Sequence, residues 1–160
     1  MKEQVLETKI LVATFDELSS QQQLLVQCAK EQVFKAYAPY SEFHVGAAVL
    51  LANGEIFAGS NQENAAYPSG LCAERVALFF ANAQHPSVAV KSIAIAAFYQ
   101  GEFVKSPVTP CGSCRQVILE SETRFKQEIE IILYGSEALY LIKNVKQLLP
   151  LCFEQQSLSI

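Results

Sequence analysis

No run of basic residues occurs anywhere in these 160 residues. The 12 lysines and arginines are scattered, the formal net charge is −4 and the pI is near 5.2. Nucleic-acid binding relies on clustered Lys and Arg to neutralise phosphates, so no nucleic-acid partner is expected. No apolar stretch approaches the roughly 20 residues that a bilayer-spanning helix needs, so no membrane partner is expected either. The opening residues, Met1-Lys2-Glu3-Gln4, lack the charged, apolar and small-residue order of a signal peptide, which sets the expectation of a cytoplasmic protein. Internal repeats, low-complexity tracts and interdomain linkers are lacking too, and the length suits one domain, residues 1–160, with a single core. Charge itself is scarce, at 18% against 51% hydrophobic residues. That balance is apolar for a lone small domain and points to apolar surface buried between subunits.

In a reducing compartment the five cysteines are metal ligands, buried apolar residues or reactive thiols rather than disulfide partners. Three of them are patterned. Cys72-Ala73-Glu74-Arg75 lies upstream of Pro110-Cys111-Gly112-Ser113-Cys114. A structural zinc site is closed by four protein ligands, whereas a catalytic one keeps three and leaves a place for water. Three thiolates and a spare carboxylate therefore point to zinc that activates water, with Glu74 handling the protons. The C-x-E … P-C-x-x-C arrangement is the three-cysteine version of the zinc deaminase signature. Three thiolates leave the zinc site with a net charge of −1, so a nearby cation should offset it. Arg75 is favoured as a donor to a ligand sulfur. Arg115 is either a second such group or a surface ion-pair partner.

Local patterns place these motifs. Lys9–Thr14 is short, apolar and β-branched and reads as a strand. Ser19 or Ser20 caps a helix through Gln21–Tyr37, with Leu24, Leu25, Cys28, Val33 and Phe34 as its apolar stripe. Val45–Leu51 and Glu55–Ser60 flank Asn53-Gly54 as a hairpin. A helix runs from about Leu71 to Ala83 with Cys72 in its first turn, Lys91–Phe98 is a buried strand, and a further helix starts near Cys111. Strands over Glu128–Tyr134 and Leu139–Val145, then a short helix or turn at Lys146–Leu149, complete a layered sheet with helices packed on it. Cysteines at two helix starts lie where partial positive charge and free N–H groups favour thiolate.

Further motifs flank the cysteines: Ala38-Pro39-Tyr40-Ser41-Glu42-Phe43-His44-Val45-Gly46, Gly59-Ser60-Asn61-Gln62-Glu63-Asn64-Ala65, Arg115-Gln116 after the second cysteine pair, and Leu148-Leu149-Pro150 followed by Phe153. Together, from about Leu24 to Phe153, the pattern resembles the small, homotetrameric cytidine deaminases. The resemblance implies a three-layer α/β/α fold around a mixed five-stranded sheet, with one zinc ion per subunit held by Cys72, Cys111 and Cys114. It implies hydrolytic deamination of cytidine and deoxycytidine to uridine and deoxyuridine with release of ammonia, a step of pyrimidine salvage. Glu74 would be the proton shuttle. Asn61 and Glu63 would hold the ribose hydroxyls, Phe43 would pack on the base, and the backbone of Ala73 would meet its polar edge. A carboxylate at the sugar accepts from a hydroxyl and repels a 5′-phosphate, which favours a free nucleoside. Tyr67 and Phe153 match positions that reach into a neighbouring subunit's pocket, Phe153 as an aromatic lid.

Two segments depart from the pattern. Residues 1–18 form an N-terminal extension whose strand at Lys9–Thr14 would pair with a sheet edge or with a partner chain, and 154–160 form an unmatched tail. Other readings stay open at this point. One is a closed zinc knuckle with Cys28, Cys152, His44 or His85 as fourth ligand. A redox pair at Cys111/Cys114, a blasticidin-S deaminase, a nucleic-acid base deaminase and a non-catalytic zinc module are the others.

Overall fold

The computed structural model describes residues 1–158. One mixed sheet organises them. Its strands are β1 (Leu11–Ala13), β2 (His44–Leu51), β3 (Ile56–Ser60), β4 (Val90–Tyr99), β5 (Glu102–Phe103), β6 (Glu130–Tyr134) and β7 (Leu139–Ile142), and its order is β1-β7-β6-β4-β2-β3 with β5 paired to the end of β4. Only β4 and β6 run parallel; every other pairing is antiparallel. The expected five strands are β2, β3, β4, β6 and β7. The short β5 is new, and β1 answers the question left by the extension. It pairs with the edge strand of its own chain, Leu11 opposite Leu141 and Ala13 opposite Leu139. Thr8 Oγ1 donating to Gln147 O at 2.9 Å and Lys9 N donating to Gln147 Oε1 at 2.8 Å tie the approach to β1 down.

Three helices complete the layers: α1 (Ser20–Gln32), α2 (Ala73–Gln84) and α3 (Gly112–Phe125). Because successive strand residues face opposite ways, β4 serves two cores. Ile93 and Ile95 pack with Ala77, Leu78, Ile118 and Leu119 of α2 and α3. Ala94 and Ala96 pack with Leu25, Val26, Ala29 and Val33 on the α1 side. The α1 side is lined by small residues, and Gly46 lets the helix come closest. A Cβ there would collide with Ala29 O and lie 2.8 Å from Val33 N.

Two expectations about α1 need correction. The helix ends at Gln32 and tightens into a 3₁₀ turn, Val33–Lys35, rather than running to Tyr37. Its buried stripe is Leu25, Val26 and Ala29, continued by Val33 of the 3₁₀ turn, whereas Leu24 and Phe34 are exposed. Phe34 lies edge-on to Phe98 and Phe103 instead, with centroids 5.3 and 6.2 Å apart. Ser19 is the cap: its hydroxyl accepts from Gln22 N, and Gln22 Oε1 accepts from Ser19 N in return. The hairpin turns as expected at Asn53-Gly54, where Gly54 takes φ of +90°.

Candidate active site

The site forms where two helix starts meet the end of the β2–β3 hairpin. Cys72 is the N-cap of α2 and Cys111 the N-cap of α3, and neither side chain caps its own helix. Cys114 lies one turn further on and is fully buried. Gly59 lets α2 seat on β3, since a Cβ there would lie 2.9 Å from Ala77 N. This close seating fixes Cys72 opposite the second cysteine pair. The Sγ atoms are 3.8 Å apart for Cys72 and Cys111 and 3.5 Å apart for Cys111 and Cys114. Three sulfurs at the usual Zn–S distance in a tetrahedral site are separated by about 3.8 Å. The cluster therefore fits zinc in donor type and in spacing.

Among the described residues, no fourth cysteine, histidine or carboxylate belongs to this cluster. Cys152 donates to Leu149 O at 2.7 Å, and His85 pairs with Glu55 at 2.9 Å. Cys28 sits on α1, across the sheet. The donor set is that of an open metal site, not of a closed knuckle.

Electrostatics support the same picture. A hydrogen bond from Cys114, opposed by burial and aided by Arg75, brings the Cys72 thiol down to about 5. Cys114 is driven upward by facing that Cys72 sulfur, by burial and by Glu74. One cysteine thus holds thiolate while crowding withholds it from the next, and a dication is what lets all three ionise together. Arg75 reaches the cluster as expected, its Nη2 lying 3.9 Å from Cys72 Sγ and 3.4 Å from Gly70 O. Arg115 does neither of the two things foreseen for it. Its guanidinium donates to Pro110 O at 2.8 Å, Leu148 O at 2.7 Å and Thr109 Oγ1 at 3.0 Å. Three well-placed oxygens satisfy its fork, so it braces the chain around the site and leaves the sulfurs to Arg75.

Beside the cluster is a cavity of about 330 Å³, at the small end of ligand pockets. Phe43, Asn61, Glu63, Cys72, Glu74 and Cys111 line it. Glu74, in the first turn of α2, is only 4% exposed. Burial, and then the charge of Cys72, lift its carboxyl above the ordinary range. Glu63 is held at the cavity mouth. Its Oε1 accepts from Ser41 Oγ at 2.5 Å, and its Oε2 accepts from Tyr40 N at 2.8 Å and Ser41 N at 3.3 Å. These bonds, Ser41's first, keep its carboxyl below the usual range. A carboxylate accepts about four hydrogen bonds, so capacity for a ligand hydroxyl remains. Asn61 locks the strand beside it: Oδ1 accepts from Val45 N at 2.8 Å and Nδ2 donates to Phe43 O at 2.9 Å. One amide hydrogen of Asn61 stays free of these bonds.

A second cavity of about 330 Å³ shares Asn61, Glu63 and Cys72 and adds Tyr40, Tyr67 and Arg75. Tyr67 is exposed and edge-on to Tyr40, with centroids 6.0 Å apart. Ala73, the first residue of α2, is fully buried, and its N–H is one of the first-turn donors without an intrahelical acceptor. Phe153 stands apart. It is 60% exposed and lines neither cavity of its own chain. Ser41, Val108 and Thr109 were not foreseen as site residues. Ser41 had a signal in the Pro-Tyr-Ser segment, while Val108 and Thr109 had none beyond preceding Pro110.

Comparison with known proteins adds independent findings. Residues 19–127 match the family model described as the cytidine and deoxycytidylate deaminase zinc-binding region. A cytidine deaminase of Sporosarcina psychrophila is 38% identical over 143 residues, covering 84% of this chain and 93% of its own. One from Halalkalibacterium halodurans is 44% identical over 100 residues, covering 61% of this chain and 70% of its own. The crystal structure of cytidine deaminase from Burkholderia pseudomallei superposes with a TM-score of 0.69 at 39% identity, covering 81% of this chain and 97% of that one.

Proposed function

The chain belongs to the cytidine and deoxycytidylate deaminase family, and on that premise we propose that it hydrolyses cytidine and deoxycytidine at C4 in a zinc-dependent reaction. The products are uridine or deoxyuridine and ammonia. The observation that carries the reading is the buried Glu74 carboxylate sharing one cavity with two of three clustered cysteines. Cys72, Cys111 and Cys114 hold the metal, one ion per subunit. Bound there, zinc supplies the Lewis acidity that ionises water at neutral pH.

The remaining work falls to the chain's own groups. Glu74 takes the proton released from water and passes it to ring nitrogen N3 as C4 is attacked. It then takes the proton of the new C4 hydroxyl and hands it to the exocyclic amine, so that C4=O forms as the C4–N bond breaks and ammonia leaves. Burial suits it to this exchange, because a carboxyl lifted toward neutrality both accepts and releases a proton readily. Arg75 donates to Cys72 Sγ and tempers the negative charge of three thiolates. The first-turn N–H of Ala73 faces the polar edge of the base, and Phe43 packs on its ring. Glu63, anchored by Ser41, accepts from a ribose hydroxyl, and Asn61 offers it the remaining amide hydrogen. Two carboxylates along one cavity disfavour a 5′-phosphate, which supports a nucleoside over a nucleotide as substrate.

The reading includes a homotetramer with shared sites. Tyr67 and Phe153 are exposed, and Phe153 lies outside its own chain's cavities, as suits a side chain that closes a neighbour's. It includes a cytoplasmic role in pyrimidine salvage. No helix among the described residues is long and apolar enough to cross a membrane. The test is cytidine-to-uridine conversion by zinc-loaded protein, beside metal-stripped protein and with deoxycytidine 5′-monophosphate as competitor. Turnover that needs zinc and ignores the nucleotide supports the reading. A zinc-loaded protein without turnover sinks it.

A further inference from the structure

The two residues that follow Cys114 on helix α3 both reach out with their side chains to grip the C-terminal segment. Arg115 Nη1 donates to Leu148 O at 2.7 Å, while its Nε holds Pro110 O and its Nη2 holds Thr109 Oγ1, whose residue lines the cavity. Gln116 Nε2 donates to Phe153 O at 2.8 Å. Lys146 and Glu154, paired at 2.6 Å, tie the two ends of the same segment together. Cys152 packs against the core below. The backbone at Phe153 is thus tied on both sides, yet its ring is 60% exposed and meets nothing in its own cavities. An aromatic left this exposed gains little in fold stability from so firm a backbone. The arrangement makes sense if the ring must be presented in one place.

We propose that Gln116, with Arg115 behind it, is a positioning residue that sets the Phe153 ring for its action on the cavity of a second copy. Arg115 joins the cavity wall to Leu148, and Gln116 fixes the arm five residues later, so the geometry of the α3 start is passed to the lid. The proposal rests on the reading of Phe153 as an intersubunit lid. Neither residue touches substrate. The effect of Gln116 must pass through Phe153 and must vanish when that ring is absent.

The test is a double-mutant cycle on zinc-loaded protein. Gln116→Ala should raise KM for cytidine about threefold to tenfold, the range that loss of one hydrogen bond commands, with kcat within twofold. Gln116→Lys, which keeps a donor of similar reach, should restore KM. Adding Gln116→Ala to Phe153→Ala should change nothing further. If Gln116→Ala lowers activity equally in the presence and absence of Phe153, or leaves KM unchanged, the proposal is overturned. Hydrogen exchange over residues 148–158 supplies a readout that needs no substrate. Faster exchange in Gln116→Ala than in wild type or Gln116→Lys is expected, and equal exchange in all three overturns the anchor. A wild-type protein inactive on cytidine would remove the functional reading, and exchange would still decide whether Gln116 holds the arm.

Discussion

Replacing Glu74 with glutamine removes one proton-transfer group and almost nothing else. The side chain is 4% exposed, so an isosteric amide fills the same space without opening a cavity. Its oxygens lie outside the three-sulfur cluster, so the metal keeps its ligands. What disappears is the group that moves two protons in the reaction proposed. One positioned acid or base commonly contributes about 10²–10⁴-fold, or roughly 3–5 kcal/mol of barrier. Because the same carboxylate serves both transfers and is shut away from bulk water that could substitute, the loss belongs at the upper end of that range. Stability should move the other way or not at all, since a buried carboxylate facing a thiolate is replaced by a neutral group. The assay is loss of cytidine absorbance by wild type and Glu74→Gln at matched zinc content, with thermal unfolding alongside. The expected result is kcat down by at least about 10³-fold, zinc stoichiometry unchanged and an unfolding midpoint equal or higher. A variant within tenfold of wild type would refute the assignment of Glu74. Loss of zinc together with activity would mean the carboxylate serves the metal instead.

Other outcomes follow from single contacts. Glu63→Ala should raise KM for cytidine by about tenfold or more through loss of a charge-assisted bond to the sugar, with zinc content unchanged; equal cytidine binding by both proteins would remove Glu63 from the site. Mixed oligomers of Phe153→Ala and Glu74→Gln chains should regain activity that neither parent has, because one chain brings the intact acid and the other the intact lid. No recovery would count against shared sites. Glu122 gives a pH-dependent prediction. It is buried, its Oε1 accepts from Ile129 N at 2.9 Å and Val145 N at 3.0 Å, and burial lifts its carboxyl above the ordinary range. A raised folded-state value means that its favourable contribution is fully present below the unfolded-chain value and declines as pH rises through the folded one. Glu122→Gln keeps the acceptor and removes the charge, so its stability relative to wild type should increase with pH from about 4.3 upward and then level off. Urea unfolding across that range checks it, and a pH-independent difference would show that Glu122 folds with no shift.

Most strands were legible because they are short apolar runs with clear punctuation. Ser92–Ala97 of β4 is buried on both faces and reads as a nearly continuous apolar stretch, and Asn53-Gly54 marks the β2–β3 hairpin from sequence alone. What sequence could not supply was partnership. Lys9–Thr14 carries a strand signal, but only the fold shows that β7 is the edge it covers. The α1 stripe was misread for a similar reason. Leu24 and Phe34 have the right hydrophobicity and nearly the right spacing, but Gly46 and Ala94 set the helix rotation from the sheet side. A helix read without its partner surface shows which residues are apolar, not which of them face inward.

The site divides along the same line. Cysteines, Glu74, Asn61 and Glu63 are chemistry-bearing residues at short, ordered spacings, and spacing survives in sequence. Arg115 and Gln116 stand next to Cys114 in the chain, yet their partners in the C-terminal segment are 33 and 37 residues away. Those distant targets are backbone carbonyls, which carry no side-chain identity at all. No pattern of residue types records a bond to the oxygen of Leu148 or Phe153. Placed beside the metal motif, Arg115 looked like a charge to be set against thiolates. The fold assigns that task to Arg75 at 3.9 Å from Cys72 Sγ and gives Arg115 three oxygens instead. The difference is testable in kind, because a charge-balancing residue affects the metal and a brace affects geometry. Arg115→Gln removes both the positive charge and the fork. It should retain zinc affinity while raising KM and loosening residues 148–158 in hydrogen exchange. Arg75→Gln, which removes the charge beside the sulfurs, should do the reverse, weakening zinc binding while leaving exchange at the C-terminal arm as it was. If the two substitutions had the same effect on zinc, the division of labour between these arginines would have to be given up.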